Sequence, residues 1–199
     1  MSFNYDNIVK DSDPIVREKS VTVPIPMHEE DKELLMDMLQ YVRDSQDSEL
    51  AEKQNLRPAV GIAAIQLGIP KKMLAVVVPK DEEEDYEFAL ANPKIISESI
   101  QKAYLKNGEG CLSVEEEHEG IVPRAARIKV KGFDLLRNEE IVISASGYLA
   151  MYYNMKWIIS MVLCFMIISM LRILGRKFQT LRLLNKCSLR AFFMPKTGS

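Results

Sequence analysis

The stretch "AVGIAAIQLG", residues 59–68, combines small residues with a single polar side chain in an apolar run. Gly61, Ala63 and Ala64 are small and let other backbone approach closely, while Gln66 is a lone amide in an apolar run. The ordinary interpretation is a tightly packed strand or turn whose amide is satisfied by backbone groups. The alternative is an amide placed as a hydrogen-bond donor in a binding cleft.

A second unusual stretch, "NGEGCLSV", follows at residues 107–114. Two glycines flank Glu109 and precede Cys111. In the ordinary interpretation this is a glycine turn that enters a strand with a buried cysteine, because free cysteine usually behaves as a small hydrophobe. In the functional interpretation it is a thiolate ligand or nucleophile on a loop whose backbone N–H groups can stabilise an oxyanion. Neither stretch decides between these alternatives by itself.

The elements around these stretches predict an α+β fold with an antiparallel or mixed sheet. Residues 28–47 have the spacing of an amphipathic helix, with one apolar face made of Leu34, Leu35, Met38, Tyr41 and Val42. Strands are predicted at residues 73–79, 88–95, 127–134 and 139–147. We expect the second strand to stop near Pro93, residues 80–87 to be a solvated acidic loop, and residues 135–138 to form a hairpin turn.

Charge divides the chain at residue 150. Residues 1–150 carry 18 Lys and Arg against 28 Asp and Glu, whereas residues 151–199 carry eight basic residues and no acid. The second part also holds two of the three cysteines, six of the eleven methionines and the single tryptophan. Such an abrupt shift marks a boundary. The acidic body argues against a nucleic-acid groove, and the N-terminus shows no apolar core of a secretory signal.

Taken together, "GIAAIQ" and, some forty residues later, "EGCLS" resemble two motifs of the peptide deformylases. In that family the motifs read G-x-G-[L/I]-A-A-x-Q and E-G-C-L-S, and a third reads Q-H-E-x-D-H. The resemblance covers residues 5–150, and the extra length at 45–57 and 80–87 is similar to the longer Gram-positive forms. Ala59 replaces the first glycine of the first motif, and Ile65 stands where Pro or Thr is common.

The resemblance implies a metal-dependent hydrolase that removes the formyl group from the N-terminal formyl-methionine of nascent polypeptides. It implies sheets around a metal-site helix, a divalent metal, usually Fe²⁺, with Zn²⁺, Ni²⁺ or Co²⁺ as substitutes, and a cytoplasmic location. The implied partners are N-formyl-methionyl peptides and, transiently, the ribosome, with no DNA and no membrane. The implied site consists of Cys111 as a metal ligand, Gln66 and the Leu112 backbone N–H as oxyanion donors, and Val60, Gly61 and Gly110 as the substrate-binding residues.

The third motif is missing from the chain. Its two histidines, His28 and His118, stand apart from each other, and the residues after "GYLA" read "MYYNMKWIIS". Back-translation from Met151 with one base restored, choosing among synonymous codons, gives I-V-L-Q-H-E-M-D-H-F-N-G. The family's two histidines would then replace Met155 and Ile159, and its glutamate would replace Lys156. We therefore predict that residues 151–199 are an out-of-frame tail behind a deformylase-like body at 1–150, and that the chain as written is inactive.

Two other interpretations of the chain stay open at this stage. A tail anchor needs about 20 apolar residues, but the uncharged run from Trp157 to Leu171 has 15. A non-catalytic protein that keeps the deformylase cleft without the metal would still bind formyl-Met peptides. Formyl-peptide binding and metal content measured on one sample distinguish this protein from an active deformylase.

Overall fold

The computed structural model describes residues 3–78, 85–104, 111–114, 123–146 and 150. Its helices are α1 (Glu29–Gln46) and α2 (Ser48–Gln54), and short 3₁₀ turns lie at Tyr5–Asn7, Pro14–Arg17 and Ala64–Leu67. Its strands are β1 (Gly61–Ala63), β2 (Met73–Val78), β3 (Tyr86–Glu98), β4 (Lys102–Ala103), β5 (Arg124–Ala125), β6 (Arg127–Asp134) and β7 (Glu139–Ser146). The predicted α+β class is confirmed.

Five strands form one sheet in the order β1-β2-β3-β6-β7, and every neighbouring pair is antiparallel. Strands β4 and β5 pair separately, also antiparallel. In the described part of the chain β1 is therefore an end strand of the sheet. The turn that carries Gln66 begins where β1 ends, so Gln66 lies next to this end strand.

Helix α1 packs on one face of the sheet, as its sequence pattern predicts. Its N-terminal turn is acidic, with Glu29, Glu30 and Asp31, which favours the helix dipole. Its fully buried side chains are Leu35, Met38, Leu39 and Val42. The sequence pattern had not singled out Leu39, which completes the buried face at helical spacing.

The sheet is apolar on both faces, which explains the uninterrupted apolar run of β2. Met73, Ala75 and Val77 belong to the core cluster shared with α1. The alternating residues Leu74 and Val76 belong to a second cluster, together with Leu90 of β3 and Val130 of β6. Because successive side chains of a strand point to opposite faces, the second cluster lies on the face away from α1. Burial on both faces produces a continuous apolar strand rather than an alternating one.

Two expectations about β3 are wrong. The strand does not stop near Pro93 but continues to Glu98, and it begins at Tyr86, inside the stretch predicted as acidic loop. The pairing with β6 shifts register between Ala91 and Lys94, so that Pro93, which has no N–H to donate, lies at a bulge in the ladder. Residues 80–84 of the predicted loop, and residue 79 at the end of the preceding predicted strand, lie outside the described residues.

Candidate active site

Gln66 is placed by the 3₁₀ turn Ala64–Leu67, which follows β1 directly. Gly68 ends this turn with a φ of 75°, a left-handed conformation that glycine adopts without strain. The tight turn folds the Gln66 side chain back toward β1, and its Oε1 accepts a hydrogen bond from the Ala63 N–H at 3.1 Å. The side chain is fully buried. Its amide therefore lies inside the protein with a fixed acceptor contact.

The segment Cys111–Val114 brings the second motif against this amide. Gln66 Nε2 donates to Ser113 Oγ at 3.2 Å and lies 3.8 Å from Cys111 Sγ, within hydrogen-bond range for sulfur. The Val114 N–H donates to the Cys111 carbonyl at 3.2 Å, which makes the segment a tight turn. Two residues 45 positions apart in the chain thus meet in one polar cluster.

Burial differs along this second segment in a way that suits a site. Leu112 is 4% exposed and packs in the core cluster shared with α1, and Ser113 is 6% exposed. Cys111 is a free thiol of intermediate exposure that packs against the second core cluster. The buried Leu112 and Ser113 therefore lie between Cys111 and Val114, which are both of intermediate exposure.

Alternate residues of β1 have backbone N–H and C=O groups that point away from β2. The Val77 N–H donates to the Val60 carbonyl at 3.0 Å, and Gly61 pairs with Val76. Bonded and non-bonded pairs alternate in an antiparallel ladder, so the N–H and C=O of Gly61 point away from β2. The Ala63 N–H, two residues on, also points away and donates to Gln66. The Val60 carbonyl is already engaged within the sheet.

The N-terminal segment forms backbone hydrogen bonds to both motifs. The Val9 N–H donates to the Gln66 carbonyl, and the Asp11 N–H donates to the Ser113 carbonyl, each at 2.8 Å. Val9, Asp11 and Ser113 were not predicted as site residues from the sequence. Ser113 could have been found from its place in "EGCLS", but backbone bonds from an irregular segment leave no signal in the side-chain pattern.

Comparison with known proteins identifies the family. The family model of the polypeptide deformylases matches residues 5–155. The chain belongs to the polypeptide deformylase family. It is 46% identical over 148 residues to the peptide deformylase of Halalkalibacterium halodurans, covering 74% of this chain and 81% of that relative. It is 47% identical over 149 residues to peptide deformylase 2 of Bacillus subtilis, covering 75% and 80% respectively.

The fold agrees with this assignment. The crystal structure of peptide deformylase from Ehrlichia chaffeensis superposes with a TM-score of 0.64 at 26% identity, covering 83% of this chain and 86% of that chain. The probable deformylase of Synechococcus phage S-SSM7 gives a TM-score of 0.61 at 26% identity. The resemblance stated from the two motifs is confirmed: this is a family of metal-dependent hydrolases that act on formyl-methionyl peptides.

A catalytic metal does not fit the side chains that the structure describes. A catalytic zinc site typically has three protein ligands and one open position, but the described residues contain no group of three His, Cys, Asp or Glu side chains that could hold a metal. Cys111 would be one thiolate ligand, whereas His28 is exposed beside the N-terminus of α1. Gly110, His118, Met155, Lys156 and Ile159 lie outside the described residues.

Within the described ranges, no helix combines the length and the apolar composition needed to cross a bilayer. The apolar stretch 157–171, which the tail-anchor interpretation concerns, lies outside those ranges.

Proposed function

We propose that residues 1–150 form the substrate-binding and oxyanion-binding body of a peptide deformylase, and that residues 151–199 are an out-of-frame tail. The observation that carries the first part is the meeting of Gln66 with Cys111 and Ser113 in one buried polar cluster. A preorganised amide donor beside a metal ligand is the arrangement that amide hydrolysis needs, because negative charge develops on the carbonyl oxygen.

In this proposal Gln66 Nε2 and the Leu112 backbone N–H donate to the formyl oxygen as it becomes negative. The amide is held on its acceptor side by the Ala63 N–H, so that Nε2 faces the Cys111 sulfur. Leu112 is anchored in the core, which fixes the backbone next to Cys111. Donors that do not reorganise during the reaction are the effective ones.

The proposed substrate backbone lies along β1. The N–H and C=O of Gly61 point away from β2, as a strand-like peptide requires for pairing with a sheet edge. Of the three residues implied to bind substrate, Gly61 thus has both backbone groups directed away from the sheet. The Val60 carbonyl bonds to the Val77 N–H, so a contact of Val60 with the substrate would not rest on that carbonyl. Gly110 stays a prediction.

The missing ligands are the reason to propose a changed reading frame. The family match ends at residue 155, and the alignment with the Halalkalibacterium relative leaves about a fifth of that relative unmatched. The proposed in-frame sequence would supply two histidines and a glutamate in place of Met155, Ile159 and Lys156. With Cys111 these would hold the divalent metal, for which we propose Fe²⁺. We also propose that the protein is located in the cytoplasm and contacts the ribosome transiently, since the substrate is a nascent chain.

A second candidate function is formyl-peptide binding without catalysis. It is favoured by one observation: the sequence has two histidines, His28 and His118, that stand far apart, while Gln66, Cys111 and Ser113 meet in the structure. Such a protein would keep the peptide-binding edge and lack turnover.

The test compares the chain as written with a version in which the frame is restored after Ala150. Metal is measured by elemental mass spectrometry, formate release with formyl-Met-Ala-Ser, and binding of the same peptide by calorimetry. We expect one metal and formate release from the restored protein, and neither from the chain as written. The Cys111→Ala variant of the restored protein is the matched control without metal.

Each outcome has a distinct meaning. A restored protein that holds metal but releases no formate contradicts the proposed reaction. Stoichiometric metal and formate release by the chain as written contradict the proposed frame change. Peptide binding by the chain as written, with no metal and no formate, supports the second candidate function for this polypeptide.

A further inference from the structure

The last two residues of α1 hold the backbone that leads into β1. Ser45 Oγ donates to the Val42 carbonyl at 2.9 Å and accepts from the Ala59 N–H at 3.2 Å. Gln46 Nε2 donates to the Ala59 carbonyl at 3.0 Å. Both backbone groups of Ala59 are therefore bonded to side chains of the helix, so α1 sets the position of this residue.

The Gln46 amide also ends the pairing of this segment with β2. Its Nε2 donates to the Val77 carbonyl at 3.0 Å, so that one NH₂ group bridges carbonyls of two adjacent chain segments. Opposite residues of a hydrogen-bonded antiparallel pair normally exchange both N–H···O bonds. The Val77 N–H does donate to the Val60 carbonyl at 3.0 Å. Within the described residues, however, the Val77 carbonyl accepts from Gln46 in the place where the Val60 N–H would otherwise donate.

This contact determines the direction of the peptide group between Ala59 and Val60. A trans peptide group is planar and carries its C=O and N–H on opposite sides. Because the Ala59 carbonyl points to the Gln46 amide, the Val60 N–H points away from that amide and from the Val77 carbonyl beside it. The Val60 carbonyl, by contrast, points to β2. The two backbone groups of Val60 thus face opposite ways, unlike those of a regular strand residue.

The Val60 N–H therefore faces the same way as the outward groups of β1. The N–H and C=O of Gly61 point away from β2 in the register of the ladder, and Val60 itself is partly exposed. Two successive N–H groups are then directed away from β2 at this edge. A regular ladder bond would instead engage the first of these donors inside the sheet.

Resting on the proposed function, we propose that Gln46 is a positioning residue for the peptide substrate: its amide holds the Ala59–Val60 peptide group in the orientation that offers the Val60 N–H to a carbonyl of the bound peptide. Gln46 does not touch the substrate in this proposal. It acts through the backbone, and Ser45 holds the N–H of Ala59. Without the amide, the peptide group can rotate, and the Val60 N–H can complete the ladder bond to the Val77 carbonyl.

Gln46→Met and Gln46→Lys separate the N–H donors from the rest of the side chain. Methionine is of similar length and has no N–H, whereas the lysine ammonium keeps donors for both carbonyls. Gln46 is exposed, so the fold should tolerate both substitutions. Gln40→Met is the matched control, because Gln40 lies on the same helix, is also exposed, and donates to the Asp44 carboxylate rather than to a strand.

The first measurement needs neither metal nor turnover. Exchange of the Val60 backbone N–H with water is followed by NMR in the ¹⁵N-labelled full chain. We expect this exchange to become about tenfold slower in Gln46→Met, the equivalent of one hydrogen bond gained, with little change in Gln46→Lys and Gln40→Met. A loss of stability alone would make exchange faster, and the backbone amides of β2 report it in the same spectra. Val60 exchange that is unchanged or faster in Gln46→Met would overturn the proposal.

The second measurement uses the frame-restored protein and formyl-Met-Ala-Ser. We expect Gln46→Met to raise KM about tenfold with kcat unchanged, because a bond to the peptide backbone away from the reacting carbonyl is equally strong in the ground state and the transition state. Gln46→Lys should restore most of the lost affinity. Slower Val60 exchange with an unchanged KM would overturn the role of this N–H in substrate binding. If the restored parent releases no formate, the proposed function fails, while the exchange comparison still decides whether Gln46 orients the peptide group.

Discussion

Replacement of Gln66 by alanine should affect stability and catalysis by separable amounts. The side chain is fully buried, and its removal leaves the Ala63 N–H and the Ser113 hydroxyl without these partners. A buried polar group left unsatisfied costs about 1–3 kcal/mol. Two such groups give a loss of about 2–6 kcal/mol in the free energy of unfolding, large against a typical total of about 5–15 kcal/mol.

Urea unfolding followed by far-UV circular dichroism measures this loss. Gln40→Ala is the matched control, because Gln40 is exposed on α1 and bonds to Asp44. A surface substitution of that kind should change stability by less than about 0.5 kcal/mol. If Gln66→Ala is no more destabilising than Gln40→Ala, the buried bonds assigned to Gln66 do not contribute to the stability of the fold.

The catalytic effect is measured on the frame-restored protein at a temperature where the variant is still folded. There Gln66→Ala should keep its metal and lower the rate of formate release by about 100-fold or more, as expected for an oxyanion donor. A decrease of less than about tenfold would show that Gln66 has a structural role alone.

Two further predictions concern a metal ligand and a surface ion pair. In the frame-restored protein, Cys111→Ala should abolish metal binding and formate release together, because one of three protein ligands is lost; metal retained at one equivalent with normal turnover would make Cys111 a core residue. Arg43 donates to both carboxylate oxygens of Glu87 and holds the pKa of that carboxyl below its usual value. The pair therefore stabilises the fold above the normal carboxyl pKa, and this contribution is lost as the pH falls through the lowered pKa. The free energy of unfolding in urea should fall further from pH 5 to pH 3 in the parent than in Glu87→Gln, by at most about 1 kcal/mol, since both side chains are partly exposed. Equal pH dependence in the two proteins would contradict this.

The elements with strong periodicity were predictable from the sequence, and β3 shows why others were not. Helix α1 and strand β2 are each determined by the burial of their own side chains. Whether β3 continues past Pro93 depends instead on the partner strand β6. Gly132 of β6 has no Cβ, and a Cβ there would lie 3.3 Å from the Ala91 carbonyl oxygen and from the Pro93 Cα. The glycine accommodates the bulge that lets the strand continue past the proline, and single-strand propensity contains no such information.

The site was predictable to the extent that its residues stand in contiguous motifs. Gln66 and Cys111 were singled out, and the structure places their side chains in contact. Ser113 stood in the same motif without an assigned role, because a serine two positions after a cysteine is chemically unremarkable until its partner is known. The bonds from Val9 and Asp11 use backbone N–H groups, which every residue except proline possesses.

The two halves of the proposed site depend on different parts of the chain. In the described part of the chain, the polar cluster of Gln66, Cys111 and Ser113 has bonds among these residues, to the Ala63 N–H and to the N-terminal segment. In the proposed site, the metal ligands beyond Cys111 would come from outside the described residues, which contain no group of three side chains that could hold a metal. A change of sequence after Ala150 can therefore remove the chemistry while the residues that orient the donor amide remain. Urea unfolding of Gln66→Ala and the release of formate are therefore independent measurements: the first reports the buried bonds of Gln66, and the second also requires the metal ligands.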